Sequence, residues 1–367
     1  MNTEKKALRK TALWNWHQEH QARLVDFAGY EMPVNYEHGT IQEHLWVRKN
    51  CGLFDVSHMG ALVLRGENVL DEANKVFTRD LSSLEIGDGA YTLLLNEAGN
   101  CLDDLILYRT GQQELTCIFN ASNKKKILTP LDEHFAPLKI DVKILYNDFA
   151  IIAVQGPESE GILKKAFQFD LSKTKPFQST LLNVAGTKAL AMCSGYTGEK
   201  GCEILIPNTH AEALWKHLMK LSDGKAQAIG LGARNTLRLE MGYSLYGHEI
   251  DETINPIEAG LKWACGMKKE KFWGKEALEN YLLDPQRKLV SLCHNSRRAP
   301  RQGMKVLNEA DQQVGSISSG TYAPSLEKAI GMALVHKNEK GPFFVEIRNK
   351  KIPFEKTKRP FYKGNIQ

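Results

Sequence analysis

A tight turn that leads into a strand is encoded by Gly195-Tyr196-Thr197-Gly198-Glu199-Lys200-Gly201-Cys202-Glu203, which the apolar pair Ile204 and Leu205 follows. Glycine adopts backbone angles that a Cβ atom forbids, so three glycines in seven residues favour a sharp turn. Such a turn brings an aromatic ring and two carboxylates close together. Two interpretations are open at this point: a hairpin turn with Glu199 and Glu203 in solvent, or a ligand-binding site.

Short β-rich runs, broken by Gly, Asn and Asp, precede this segment. They cover residues 61–64, 90–95, 102–108, 115–119 and 142–146. Runs of this length between turn residues are typical of an antiparallel sheet built from hairpins.

Helices are predicted between these runs. Thr40 and Glu43 have the spacing of a capping box before an apolar-periodic run that ends near Gly52, and Thr209 and Glu212 repeat that spacing before a second run. A third helix is predicted over residues 233–241, ended by a glycine. Because the order of strands and helices lacks a regular βαβ rhythm, the α+β class is favoured over a parallel α/β sheet.

The pattern changes after a predicted helix at residues 275–282. Proline and charged residues interrupt residues 283–288, and from residue 289 short strands alternate with glycine turns. This alternation is typical of a β-barrel or a sandwich of roughly 80 residues. The sequence therefore predicts two regions, 1–283 and 284–367.

Composition indicates an ordinary globular protein. Of 367 residues, 42% are hydrophobic and 25% are charged, and the net charge is +5. Apolar runs stay short of the ~20 residues of a membrane span, and the first residues lack the apolar run of a secretory signal, so we predict a cytoplasmic location and no membrane association. The mild charge, without a basic stripe with interleaved aromatics, argues against nucleic-acid binding.

Cysteine spacing and several familiar motifs exclude other classes. Seven scattered cysteines with no C-x-x-C pair are interpreted as reduced, mostly buried thiols, and no metal site is expected. The phosphate-binding loop, the G-x-S-x-G elbow, the H-E-x-x-H motif and a full dinucleotide fingerprint are missing from the sequence. The hydrolase, ATPase and Rossmann oxidoreductase classes are therefore disfavoured.

Two pairs of charged residues are candidates for chemistry. Asp103 and Asp104 interrupt an apolar strand, where acidic residues are unfavourable. Either one of them faces a cavity, or both are exposed to solvent in a bulge or turn. Arg234 and Arg238 lie four apart on one helix face. They are either surface residues or buried ones that need carboxylate partners, with Glu203 as a candidate.

Six segments in order along the chain together resemble the T-protein family of the glycine cleavage system, the tetrahydrofolate-dependent aminomethyltransferases. These segments are residues 27–34 (FAGYEMPV), 52–60 (GLFDVSHMG), 102–105 (LDDL), 195–203, 230–245 and 315–320 (GSISSG). The resemblance implies two interleaved domains within residues 1–283 and a C-terminal β-barrel, arranged around a central cavity that admits the pterin. It also implies transfer of the methylene carbon of an aminomethyl group, carried on the reduced lipoyl arm of H-protein, to tetrahydrofolate. The implied products are 5,10-methylenetetrahydrofolate, ammonia and dihydrolipoyl H-protein.

The resemblance assigns roles to particular residues. Asp104 matches the family's catalytic carboxylate, whereas Asp103 is expected to matter less. Glu203 and Arg234 match folate-binding positions, and a carboxylate suits the two adjacent N–H donors of a pterin's pyrimidine edge. Four further positions are expected to contact the cofactor: Tyr196, Tyr91, Met59 and Asn120.

The chain also departs from the family pattern. Asn100 stands where a second glycine is usual, Asn235 stands where an aspartate is usual, and the tail stops at Gln367. The loss of an acid beside Arg234 is expected to alter how that arginine is held, and the tail puts a C-terminal contact to the folate glutamate in question. Two alternatives stay open: a related folate-dependent demethylase, and a non-transferase folate-binding protein that assists iron–sulfur proteins.

Overall fold

The protein is described from a computed structural model, and the description applies to residues 7–364. The chain divides into two compact units, each made of two segments. Unit 1 comprises Met1–Leu62 and Ile144–Asn235, and unit 2 comprises Val63–Lys143 and Thr236–Gln367. The predicted regions 1–283 and 284–367 divide the chain differently and stay a prediction.

The α-helices of the described residues are α1 (Trp14–Glu19), α2 (Gly39–Lys49), α3 (Val69–Val76), α4 (Lys124–Phe135), α5 (Ser159–Phe167), α6 (Asn208–Leu221), α7 (Leu231–Glu240) and α8 (Lys275–Leu283). Within this part of the chain, no helix is both long and apolar enough to cross a membrane.

The strands before α8 are β1 (Arg23–Phe27), β2 (Tyr30–Asn35), β3 (Cys51–Asp55), β4 (Gly60–Arg65), β5 (Gly89–Leu95), β6 (Cys101–Gly111), β7 (Glu114–Phe119), β8 (Asp141–Ile144), β9 (Phe149–Gln155), β10 (Ser179–Val184), β11 (Thr187–Met192), β12 (Gly201–Pro207) and β13 (Ala226–Ala228). Those after it are β14 (Arg287–His294), β15 (Lys305–Leu307), β16 (Gln313–Ala323), β17 (Lys328–His336), β18 (Phe343–Ile347) and β19 (Lys350–Thr357).

Unit 1 is built on a six-stranded sheet with the order β10-β11-β12-β9-β3-β13. Its neighbouring strands are antiparallel except for β13, which runs parallel to β3. Glu203 pairs with Ala153 of β9 and with Met192 of β11. The core of the unit combines sheet residues such as Ile152 with the fully buried Trp215 of α6.

Unit 2 contains a five-stranded sheet with the order β5-β6-β7-β4-β8. Its β5, β6 and β7 form successive antiparallel pairs, in which Asp104 lies opposite Leu93. The predicted strands are confirmed, although β8 ends at Ile144 and does not reach Tyr146. This sheet positions the two aspartates of β6 between strands on either side.

The strands after α8 close into a barrel with the order β14-β17-β16-β15-β18-β19. Apolar side chains of these strands, including Val290, Val306 and Phe343, form its core. Small barrels of this size fill their interior with side chains. The α+β class and the C-terminal barrel are thus confirmed.

The predicted helices are present, but the N-terminal capping boxes predicted for two of them are wrong. Thr40 lies inside α2, and the carboxylate of Glu43 accepts hydrogen bonds from the backbone N–H groups of Tyr36 and Gly230. Thr209 likewise lies inside α6, whose N-cap is Pro207. The capping-box spacing led to the correct helices because an apolar-periodic run follows it in each case. The hydrogen-bond partners of the side chains at the proposed caps, however, depend on tertiary structure.

Candidate functional site

The predicted site residues fall into two groups, one in each compact unit. Glu203, Arg234, Tyr196 and Met59 belong to unit 1, and Asp104, Tyr91 and Asn120 belong to unit 2. The cysteines take no part: all seven are free thiols, and six of them are buried.

The glycine-rich turn of unit 1 lies between β11 and β12. Gly198 has a φ of +78°, which an L side chain rarely adopts. Glu203 follows in β12, where its side chain is nearly buried. The interpretation of this segment as a hairpin with two solvated glutamates is therefore wrong for Glu203.

Glu199 is also shielded from solvent. Its carboxylate lies 2.7 Å from Nη1 of Arg48, and both side chains are about 95% buried. The same Nη1 donates to the backbone carbonyl of Thr197 at 2.7 Å. Arg48 therefore fixes the outer part of the turn through its contacts with Thr197 and Glu199. The carboxylate of Glu199 is occupied by this ion pair.

Glu203 keeps acceptor capacity for a ligand. Its Oε2 accepts a hydrogen bond from Ser194 Oγ at 3.3 Å, and its Oε1 lies 3.9 Å from Nη2 of Arg234. The guanidinium of Arg234 lies 4.8 Å from the centre of the Tyr196 ring, and its buried Nη1 has no hydrogen-bond partner among residues 7–364. A carboxylate, a cation and an aromatic face are thus brought together with unused hydrogen-bonding groups.

The surface interpretation of the two arginines is wrong. Arg238 is fully buried and lies 3.1 Å from the carboxylate of Glu249, and its Nη2 donates to Ser319 Oγ at 2.8 Å. Glu203 lies beside Arg234. A buried arginine requires such partners because an unpaired buried charge is strongly unfavourable.

Met59 lies between β3 and β4, partly exposed, and its backbone N–H donates to the carbonyl of Val56 at 3.0 Å. Its assignment to the folate site stays a prediction.

In unit 2 both aspartates lie within β6. A β-bulge does occur at Leu102, where the register with β5 shifts, but the expectation that both carboxylates are wet is wrong. Asp103 is fully buried and accepts hydrogen bonds from the backbone and side chain of Asn120 and from Nδ2 of Asn123 at 2.7 Å. This set of donors satisfies a carboxylate that water does not reach.

Asp104 is partly exposed, and neighbouring side chains fix its orientation. Tyr91 Oη donates to its Oδ2 at 3.0 Å, and Asn120 Nδ2 donates to its Oδ1 at 2.7 Å. Burial raises the pKa of Asp104, and the hydrogen bonds from Tyr91 and Asn120 oppose that rise. An oriented carboxylate whose pKa lies above its ordinary value is suited to proton transfer.

Trp263 was missed by sequence reasoning. Its ring stacks on Tyr91 with centroids 5.4 Å apart and an angle of 24°, and the residue is 57% exposed. An exposed tryptophan is uncommon enough to be a signal, but its sequence position, far from Tyr91, gave no reason to connect the two. Asn123, which holds Asp103, was missed for the same reason.

The chain thus combines an α+β fold, a C-terminal closed barrel and an oriented, partly exposed carboxylate. Residues 13–269 match the GCVT N-terminal domain, and residues 287–363 match the glycine cleavage T-protein C-terminal barrel domain. The chain belongs to the glycine cleavage T-protein family and is an enzyme of the aminomethyltransferase class.

Individual relatives are similar to this chain over nearly its full length. The aminomethyltransferase of Chlorobaculum parvum is 42% identical over 367 residues, which cover 96% of this chain and all of the relative. That of Chlorobaculum tepidum is 41% identical with the same coverage. The crystal structure of glycine cleavage system aminomethyltransferase T from Bartonella henselae superposes with a TM-score of 0.91 at 31% identity, covering 97% of this chain and 99% of the other. The resemblance inferred from the sequence is confirmed.

Proposed function

We propose that this enzyme transfers the methylene carbon of an aminomethyl group, held on the reduced lipoyl arm of H-protein, to tetrahydrofolate. The observation that carries the proposal is the partly exposed Asp104 carboxylate, oriented by Tyr91 and Asn120. Membership of the aminomethyltransferase family supports the choice of reaction.

The proposed reaction balances as follows. The methylene carbon forms bonds to two folate nitrogens and loses its bonds to the amino nitrogen and to the lipoyl sulfur. The two folate N–H protons pass to these leaving groups. The products are 5,10-methylenetetrahydrofolate, ammonia and dihydrolipoyl H-protein.

Glu203 is proposed to bind the pterin. Its Oε1 has no hydrogen bond from the described residues and its Oε2 has one, from Ser194, so each oxygen keeps a lone pair for the adjacent N–H donors of a pyrimidine edge. The guanidinium of Arg234 lies beside this carboxylate and presents an unused buried N–H group. Tyr196, already held under that guanidinium, offers a flat surface against which a planar pterin packs.

Asp104 is proposed to orient a folate nitrogen and to take its proton as that nitrogen attacks the methylene carbon. Its pKa, raised by burial, favours acceptance of a proton. Tyr91 and Asn120 were assigned to folate binding; the contacts that support their role are those to Asp104. H-protein as partner and the cytoplasmic location stay predictions.

The assay that tests this function mixes the enzyme with tetrahydrofolate and with H-protein that carries the aminomethyl group. We expect stoichiometric formation of ammonia and 5,10-methylenetetrahydrofolate, and a rise in thermal stability on titration with tetrahydrofolate alone. A parallel reaction offers a methylated sulfur compound as donor. Demethylation of that compound without consumption of the H-protein adduct would assign the enzyme to the demethylases, and folate binding without either reaction would indicate a binding protein.

A further inference from the structure

A buried amide lies beneath the glycine-rich turn of unit 1. Gln155 is the last residue of β9, is fully buried, and has no part in the proposed reaction. A primary amide in the core must have its donors and its acceptor paired, because an unpaired buried polar group is unfavourable.

The partners of this amide come from two places on the turn. Nε2 of Gln155 donates to the carbonyls of Ser194 at 3.1 Å and Cys202 at 3.4 Å. Oε1 accepts from Thr197 Oγ1 at 2.9 Å. The two backbone carbonyls require an N–H donor, and the hydroxyl of Thr197 requires an acceptor. A side-chain amide provides both groups.

These contacts lie on either side of Tyr196 and next to Glu203, the two residues proposed to face the ligand. Ser194 and Thr197 flank the Gly195–Tyr196 pair, and Cys202 immediately precedes Glu203. The hydroxyl of Ser194 in turn donates to Glu203. One side chain therefore fixes both ends of the segment that presents the Tyr196 ring and the Glu203 carboxylate.

The backbone of the turn packs closely against this amide. A Cβ atom on Gly195 would overlap Oε1 of Gln155, and one on Gly201 would come within 2.7 Å of Nε2. At Gly201 the backbone oxygen of Val154 is closer still to that Cβ position, so the backbone of the turn lies directly on the amide and on the end of β9.

We infer that Gln155 is a positioning residue for folate. It sets the affinity for the pterin by fixing the position of Tyr196 relative to Glu203. This inference rests on the proposed folate-binding role of those two residues. Gln155 does not touch the reacting atoms, so its loss affects binding of tetrahydrofolate more than the chemical step.

The test compares Gln155→Met, which keeps the volume of the side chain and removes its hydrogen bonds, with Tyr36→Phe. The control removes a buried hydrogen bond to His17 in the same unit, away from the turn. We expect the Kd and the KM for tetrahydrofolate to rise about tenfold or more in Gln155→Met, with kcat at saturating folate largely kept, and no such change in Tyr36→Phe.

Gln155→Glu provides a second variant should Gln155→Met fail to fold. At neutral pH its carboxylate faces two carbonyl oxygens, and protonation at lower pH restores one donor. We expect its Kd for tetrahydrofolate, relative to the wild type at each pH, to recover as the pH falls. A purely structural defect would not give this recovery.

Hydrogen exchange of the free enzyme separates this inference from the proposed function. We expect faster exchange of the backbone amides of residues 194–203 in Gln155→Met, with the rest of unit 1 unchanged. If the wild-type enzyme fails to bind tetrahydrofolate, the proposed function falls, and with it the role of Gln155 in folate affinity. If the wild type binds and Gln155→Met keeps its affinity, or exchange in the turn is unchanged, the inference alone is overturned.

Discussion

The side-chain amide of Asn120 donates a hydrogen bond to Oδ1 of Asp104 over 2.7 Å. The same nitrogen lies 2.7 Å from Oδ1 of Asp103, so one amide group bridges the carboxylates of two consecutive strand residues. Asn120 directly follows β7, the strand that pairs with β6, and this pairing places its amide beside both acids. The buried aspartate thereby holds the amide that orients the partly exposed one.

Asp103→Asn should lower the stability of the enzyme. The buried carboxylate accepts hydrogen bonds from Asn120, Asn123 and the backbone of Asp104, and an amide would turn its own donors towards some of these groups. We expect a loss of about 1–3 kcal/mol in the free energy of unfolding, measured by urea denaturation. Asp71→Asn, an exposed change in the same unit, is the control; equal stability of the two variants would refute this role.

Tyr91→Phe should shift the pH dependence of the reaction. Burial raises the pKa of Asp104, and the hydrogen bond from Tyr91 lowers it. Removal of that bond therefore raises the pKa further. Because the proposed base must be ionised, activity is lost as the pH falls through this pKa, and the acid limb of the kcat profile should move to higher pH. Tyr322→Phe should leave the limb in place; a limb that stays fixed in Tyr91→Phe as well would argue against the assignment of Asp104.

Glu203→Ala should weaken tetrahydrofolate binding. The change removes the acceptor proposed for the pyrimidine edge and leaves Arg234 without its carboxylate partner. A hydrogen bond to a charged group contributes about 1.5–3 kcal/mol, so we expect the Kd to rise about 10- to 100-fold. Calorimetric titration of this variant and of Glu37→Ala, an exposed glutamate of the same unit, measures the effect. An unchanged Kd in Glu203→Ala would remove this residue from the site.

Asp55 should make unit 1 sensitive to acid. Burial alone would raise the pKa of this carboxyl, but hydrogen bonds from His17, 3.0 Å away, and from Ser57 and Thr11 lower it from 3.8 to about 2. A folded-state pKa below the ordinary value stabilises the fold above that ordinary value, and the stabilisation is lost as the pH falls from about 4 to about 2.

Asp55→Asn lacks this contribution, which corresponds to about 2 kcal/mol. The difference in unfolding free energy between wild type and Asp55→Asn should therefore shrink as the pH is lowered from 6 to 3. A difference that is constant over this range would show that these hydrogen bonds do not lower the pKa of Asp55.

The sequence predicted the elements of the fold better than the environment of its polar residues. Alternating apolar residues between glycine turns marked the barrel strands, and apolar periodicity marked α2 and α6, because both patterns are local. The cap proposed for Thr40 and Glu43 was wrong because one donor to Glu43 comes from Gly230, 187 residues along the chain.

Partners that are remote in sequence also explain why the environments of polar residues at the candidate site were not predicted. One of the two interpretations left Asp103 in solvent, yet it is buried because Asn120 and Asn123 supply donors from beyond the next strand. The partner considered for a buried Arg238 was Glu203, whereas its carboxylate partner is Glu249, which follows the helix by several residues. The positions of site residues came from the family resemblance; their hydrogen-bond partners required the folded structure.

The central claim is that Asp104 performs the proton transfer, and a single-turnover experiment tests it most directly. The enzyme, loaded with tetrahydrofolate, is mixed with H-protein that carries the aminomethyl group, and formation of 5,10-methylenetetrahydrofolate is followed for the wild type, Asp104→Asn and Asp71→Asn. We predict that Asp104→Asn keeps the wild-type Kd for tetrahydrofolate but reacts at least about 100-fold more slowly, whereas Asp71→Asn reacts normally. A near-normal rate in Asp104→Asn would contradict the claim.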